Sequence, residues 1–277
     1  MTEQKDQSFQ HYLTARLNKL AELWQQELRD FSQQTEQQKR AAKKLKARLK
    51  EPEIVEQIQK YIFLLDGENQ KHNLIGPATK KEIVTRHILD SLAPLIYTAQ
   101  LQDLTDKIAI DIGTGAGLPG LLWSLFLPES RFYLLDSRKK RVIFLNKAVE
   151  TLKLSSTFPL RERAEVLGQN KDWRAKFDYS LARAVAPLNV LLEYALPLLQ
   201  VKGRALFFKG PAYQEELPAA RAACDTLEAE LEQVFTLKIP ELKGERYLLS
   251  FVKRGPTPEK YPRRVGIPKK RPLTGRS

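Results

Sequence analysis

The apolar positions divide the chain into three regimes. In residues 1–50, Phe9, Leu13, Leu17, Leu20, Trp24, Leu28 and Phe31 recur at three- and four-residue steps, marking one face of an amphipathic helix. A second, polar helix follows, carrying Lys39, Arg40, Lys43, Lys44, Lys46, Arg48 and Lys50, and Glu51-Pro52 breaks it. In residues 51–100 the stripe Ile54, Val55, Ile58, Tyr61, Ile62 and Leu65 predicts another helix, interrupted near Asp66-Gly67 and by a turn at Gly76-Pro77. Thr79, with Glu82 three residues on, reads as a capping box for a helix whose apolar side carries Ile83, Ile88 and Leu92.

From Asp106 the pattern changes to short apolar runs separated by helical segments. Strands are predicted at Ile108–Ile112, Phe132–Leu135, Thr157–Leu160, Phe177–Arg183, Gly203–Lys209, Phe235–Ile239 and Tyr247–Val252. The last two, joined by a short link containing Gly244, read as a hairpin, and the others as parallel strands with crossover helices. The expectation is a doubly wound, mostly parallel seven-stranded α/β sheet with an N-terminal helical extension. We divide it into an accessory extension (1–50), helices packed on the core (51–100), the α/β domain (101–253) and a basic, Pro-rich tail (254–277).

One stretch carries chemistry. The predicted first strand runs into Gly113, Gly115 and Gly117, and a helical segment follows from Leu118 to Phe126. Strand, glycine loop and helix bring backbone close to a nucleotide-like ligand. A dinucleotide fingerprint would need glycine at position 118, which is Leu118. Asp111 would repel a pyrophosphate and suits a cationic ligand, such as the sulfonium and ammonium of S-adenosylmethionine. Asp136 ends the second strand roughly 20 residues on, where a carboxylate can take both ribose hydroxyls. These features favour S-adenosylmethionine, with NAD and a purely structural turn as alternatives. The strand-end loops Gly113–Gly117, Asp136, Arg163–Glu165 and Arg183 should converge at one sheet edge.

Charge adds a partner. A formal net charge of +13 points to a polyanion such as nucleic acid or a ribosome surface, against the plainer reading of a generally basic protein. In the tail, Arg263, Arg264, Lys269, Lys270, Arg271 and Arg276 lie among prolines, so it is expected to bury no core and to follow RNA phosphates. Lys253 and Arg254 open the same basic run. The sole cysteine, Cys224, excludes an internal disulfide and any multi-cysteine metal site, and no metal is expected. No apolar run approaches the ~20 residues of a membrane span, so a cytoplasmic protein is expected. His87 and Asp90 are near neighbours on a helix, but no nucleophile motif accompanies them, and a hydrogen-bonded structural histidine is the simpler reading.

Several motifs together support a resemblance. Asn69-Gln-Lys-His-Asn-Leu74, Arg86-His-Ile-Leu-Asp-Ser-Leu92, Asp111-Ile-Gly-Thr-Gly-Ala-Gly-Leu-Pro-Gly120, Leu135-Asp-Ser137 with Lys140-Arg141, Arg163-Ala-Glu165, Ala182-Arg-Ala184, Lys209-Gly210 and Tyr261-Pro-Arg-Arg-Val-Gly266 occur in this order. In order and spacing the chain resembles the bacterial RsmG (GidB) family from about Leu65 to Leu273. It departs from the family at Glu68, usually Trp, and at Ile75, usually Thr.

The resemblance implies a class I, Rossmann-like, S-adenosylmethionine-dependent methyltransferase. Its substrate would be N7 of guanine 527, in the 530 loop of 16S ribosomal RNA, naked or in the small subunit. Asp111, Gly113, Gly115, Gly117 and Leu118 would then pack the cofactor, Asp136, Ser137 and Arg138 would hold its ribose, and Ala164 and Glu165 would meet its adenine. Arg183 would sit at the mouth of the site and engage cofactor or RNA; His87 and Lys209 join it as candidates for engaging the target. A second class of reading is a basic RNA- or ribosome-binding protein with this fold and no turnover. Methylation of a small molecule or a protein is a third, and leaves the charge without a purpose.

Overall fold

Seven strands form one sheet in the order β3-β2-β1-β4-β5-β7-β6. The computed structural model describes residues 2–29, 35–101 and 104–274; Phe31 and Arg276 of the readings above lie outside them. The N-terminal half is helical: α1 (Thr2–Arg29), α2 (Glu36–Arg48), α3 (Pro52–His72), α4 (Lys80–Ile83), a π-helical segment Val84–Leu89, α5 (Asp90–Leu92) and α6 (Pro94–Leu101). Then follow β1 (Ile108–Ile112), α7 (Gly120–Phe126), β2 (Arg131–Leu135), α8 (Lys139–Thr151), β3 (Thr157–Leu160), α9 (Ala164–Gln169), β4 (Phe177–Arg183), α10 (Leu188–Ala195) and β5 (Leu199–Lys209). The last elements are α11 (Tyr213–Leu227), β6 (Ala229–Leu237), β7 (Arg246–Lys253) and α12 (Ile267–Lys270).

β1 pairs in parallel with β2 and β4, β2 with β3, and β4 with β5. β7 runs antiparallel between β5 and β6, as a hairpin strand must when no crossover helix precedes it. The sheet therefore has the expected seven strands and glycine-loop connection. β5 and β6 begin earlier than predicted: Leu199 pairs with Phe177 of β4, and the residues from Ala229 pair with β7.

Helices cover both faces. One apolar cluster joins the sheet to α1, α3, α7 and α8; the other joins it to α9, α10 and α11. Leu13, Leu17, Leu20 and Trp24 are all buried in the first cluster, together with Ile58 and Leu122. The described residues before position 50 thus share the main core, and the division expected at residue 50 falls inside it. Thr79 caps α4 as expected: its Oγ1 accepts the Glu82 N–H at 3.3 Å, and Glu82 accepts the Thr79 N–H at 2.9 Å. The π segment was not legible. A five-residue step from Ile83 to Ile88 drifts off an α-helical face, and the wider i→i+5 turn returns both to the core, fully buried.

The tail departs from the expectation most. Lys253 is buried and donates to the carbonyls of Leu196 (2.8 Å) and Leu199 (2.6 Å), and Arg254 pairs with Glu230. Thr257, Tyr261 and Pro268 are buried, so the segment up to Thr274 folds back over the molecule and buries apolar surface. Prolines suit an extended strap, and Pro268 falls in the first turn of the short α12, where a missing N–H costs nothing.

Candidate functional site

The glycine loop is tied at the carboxyl end of the sheet first by backbone: Gly113 and Thr114 donate to the Leu135 carbonyl at 2.8 and 3.1 Å. Gly113, Gly115 and Gly117 have φ of +66°, +63° and +92°, the left-handed region that side chains disfavour. Asp111 is fully buried beneath this turn. Its Oδ2 accepts Thr114 Oγ1 at 2.6 Å and the Gly120 N–H at 2.8 Å, tying strand, loop and helix start together, while its Oδ1 has no partner. Burial pushes its carboxyl up to about 7. Asp111 therefore braces the loop from behind, as do Gly117 and Leu118, which pack against Leu121 and in the core.

Asp136 lines the first cavity, of about 460 Å³. Its Oδ2 accepts the Gly115 N–H at 3.1 Å and Arg141 Nη1 at 2.9 Å, and its Oδ1 accepts the Arg138 N–H at 2.9 Å. Gly113, Ser137, Arg138, Ala164 and Glu165 line the same groove. Ala164 opens α9, so its N–H is one that helix geometry leaves without an intrahelical partner. Glu165 is anchored: its Oε1 accepts the Gly266 N–H at 3.0 Å, and Tyr194 lines the groove with it. Sequence reasoning assigned no role to Arg141 or Tyr194, whose place follows only from the path of α8 and α10.

Arg183 lies elsewhere. With His87 and Lys209 it lines a second cavity of about 590 Å³, separated from the first by Ala184-Val185-Ala186, which borders both. Arg183 Nη1 donates to Asp90 Oδ2 at 2.7 Å, and Nη2 lies 3.4 Å from His87 Nδ1. Burial and the charges of Arg183 and Arg86 hold His87 down at about 4, so it is neutral at pH 7. Lys209 is committed to Glu216 (2.7 and 2.9 Å) and the Ala186 carbonyl (3.1 Å). It braces the cavity wall; Arg86, Arg246 and Tyr247, to which the sequence assigned no role, also line it.

The tail cations divide. Arg263 turns inward to Glu193, Lys269 borders the first groove, and Arg264, Lys270 and Arg271 are exposed. Cys224 is buried on α11, outside both cavities, and burial pushes its thiol up to about 12. Cys224→Ala is expected to keep full methyl transfer; an inactive but folded variant, by circular dichroism and labelled-methyl incorporation, would make it a nucleophile instead.

The family model described as rRNA small subunit methyltransferase G, GidB, matches residues 54–246. The chain belongs to the GidB family. Ribosomal RNA small subunit methyltransferase G of Carboxydothermus hydrogenoformans is 45% identical over 80% of this chain and 93% of its own length. The protein of that name from Thermotoga neapolitana is 42% identical over 78% and 92%. A crystal structure of an MtNAS mutant in complex with S-adenosylmethionine covers 72% of both chains at 16% identity and a TM-score of 0.50, a likeness of fold. This chain is a class I methyltransferase that uses S-adenosylmethionine. The first groove fits a cofactor of that kind: it holds a fixed carboxylate, a glycine turn at positive φ and the first residue of α9. No group of three metal-ligating side chains occurs among the described residues, and no helix there is long and apolar enough to cross a membrane.

Proposed function

We propose that the chain methylates N7 of a guanine in 16S ribosomal RNA, guanine 527 of the 530 loop, within the cytoplasm. The observation that carries this reading is the pair of adjoining cavities sharing Ala184-Val185-Ala186, one built for the cofactor and the other cationic. Asp136, with Ser137 and Arg138 beside it, holds the ribose, and Ala164 presents its N–H to the adenine edge. S-adenosylmethionine supplies an electrophilic methyl group, and guanine N7 offers a lone pair, so no proton leaves and no general base is needed. A neutral His87 held down at about 4 is a weak base, and such a reaction asks no base of it. Arg183, held rigid by Asp90, directs charge into the second cavity, with Arg86 and Arg246 for phosphate and Tyr247 for a base face. Catalysis is then mainly orientation, which can supply up to ~7–11 kcal/mol.

Transfer of labelled methyl to small subunits from a strain lacking the modification is expected to yield 7-methylguanosine. Cofactor binding without incorporation into any ribosomal RNA would favour the ribosome-binding protein without turnover.

A further inference from the structure

Arg263 and Arg264 are adjacent cations in one basic tail, yet their side chains go opposite ways. Arg264 is exposed. Arg263 meets Glu193, a carboxylate with no exposed surface, through three bonds: its N–H at 2.9 Å, Nε at 2.8 Å and Nη2 at 2.6 Å. A buried carboxylate so far from water needs such a partner, and the fork of a guanidinium fixes orientation as well as charge.

What this latch secures is the wall of the cofactor groove. Arg174 grips the strap just upstream, donating to the carbonyls of Thr257 (2.7 Å) and Tyr261 (2.6 Å), and at 3.0 Å to Gly168 on α9. Pro262 presses on Gly168 so closely that a Cβ there would lie 2.8 Å from its ring, and Gln169 donates to the Pro262 carbonyl. Beyond the latch, Gly266 gives its N–H to Glu165, and Lys269 reaches the groove. A helix of one and a half turns has little stability of its own, so α9 depends on what is packed against it.

We propose that residues 254–273 are a positioning strap for the cofactor groove, with Arg263 latched on Glu193 setting Gly266 against Glu165 and so fixing the α9 wall. The proposal rests on the groove being the S-adenosylmethionine site. Arg263 is a positioning residue, and the phosphate contacts belong to its exposed neighbours.

Titration calorimetry with S-adenosylmethionine and no RNA, on the full chain, tests it. Arg263→Gln is expected to raise the cofactor Kd at least about tenfold, 1.4 kcal/mol, with affinity for a 16S fragment holding the 530 loop unchanged within about twofold. Its KM for cofactor should rise while KM for RNA does not, a split that general destabilisation would not produce. Arg263→Lys, which keeps the charge and loses the fork, should fall between, and it carries the test if Arg263→Gln does not fold. Arg264→Gln should show the reverse: unchanged cofactor Kd, weaker RNA binding and a shallower salt dependence. A cofactor Kd within twofold of wild type for both Arg263 variants would overturn the strap. Failure of the wild-type chain to bind S-adenosylmethionine would overturn the groove assignment and the strap with it.

Discussion

Asp136→Ala is expected to weaken S-adenosylmethionine binding by at least about a hundredfold and to abolish methyl transfer. Two losses combine. The ribose loses a carboxylate acceptor, and hydrogen bonds to a charged group are worth about 1.5–3 kcal/mol each. The site also loses its organiser, since Asp136 gathers the Gly115 and Arg138 N–H groups and the Arg141 guanidinium on one side chain that is only 4% exposed. Removing it leaves the glycine loop tied at Gly113 and Thr114 alone on that side. Asp136→Asn separates the losses, because the amide keeps one acceptor oxygen, which can serve two donors, and puts an NH2 where the other oxygen accepted. Calorimetry reads the affinity, and labelled methyl the turnover. A cofactor Kd within a few-fold of wild type in Asp136→Ala would remove Asp136 from the ribose site.

Arg183→Ala should have the opposite signature. Cofactor affinity is expected to stay within about threefold of wild type, while methyl transfer falls at least about a hundredfold, about 2.7 kcal/mol of lost orientation and charge. The distinction follows from placement, since Arg183 lines the second cavity and not the first. Stability should fall as well. Asp90 and Arg183 are 11% and 15% exposed, and removing one partner of a largely buried pair costs about 3 kcal/mol. Arg246, 3.7 Å from the other Asp90 oxygen, compensates only in part. Asp90→Asn in the Arg183→Ala background should restore much of the stability, read by chemical denaturation, and none of the turnover. A double variant that regains both would reduce Arg183 to a structural ion pair. A cofactor Kd raised as far as in Asp136→Ala would return Arg183 to the cofactor groove.

Parts of this site are written locally. Alternating glycines after an apolar run announce the loop, and Asp136 is recognisable because strand, turn and distance from the glycines confine a ribose-binding acid to few positions. Thr79 and Glu82 declare a helix start within four residues. Other parts have no local mark. Asp111 reads as a cofactor contact because it ends an apolar strand beside the glycines; only the fold shows both carboxylate oxygens enclosed behind the loop. Lys209 reads as a free cation until Glu216, seven residues on, is brought round by α11 to meet it. Arg263 and Arg264 are indistinguishable in sequence, because the carboxylate that separates them, Glu193, lies 70 residues away.

The sequence by itself determined the α/β class, the strand succession, the glycine loop with an acid at the end of the next strand, and through its motifs the family. These depend on short-range physics: hydrophobic period, glycine's access to positive φ, and spacing within a single strand-turn-helix unit. Only the tertiary structure decided which cations are spent inside the protein and which stay exposed, and which of two adjoining cavities each residue lines. It also turned a tail expected to be loose into a strap. Ion pairs and cavity walls join residues distant in the chain, and a charge has no periodicity by which its partner could be read.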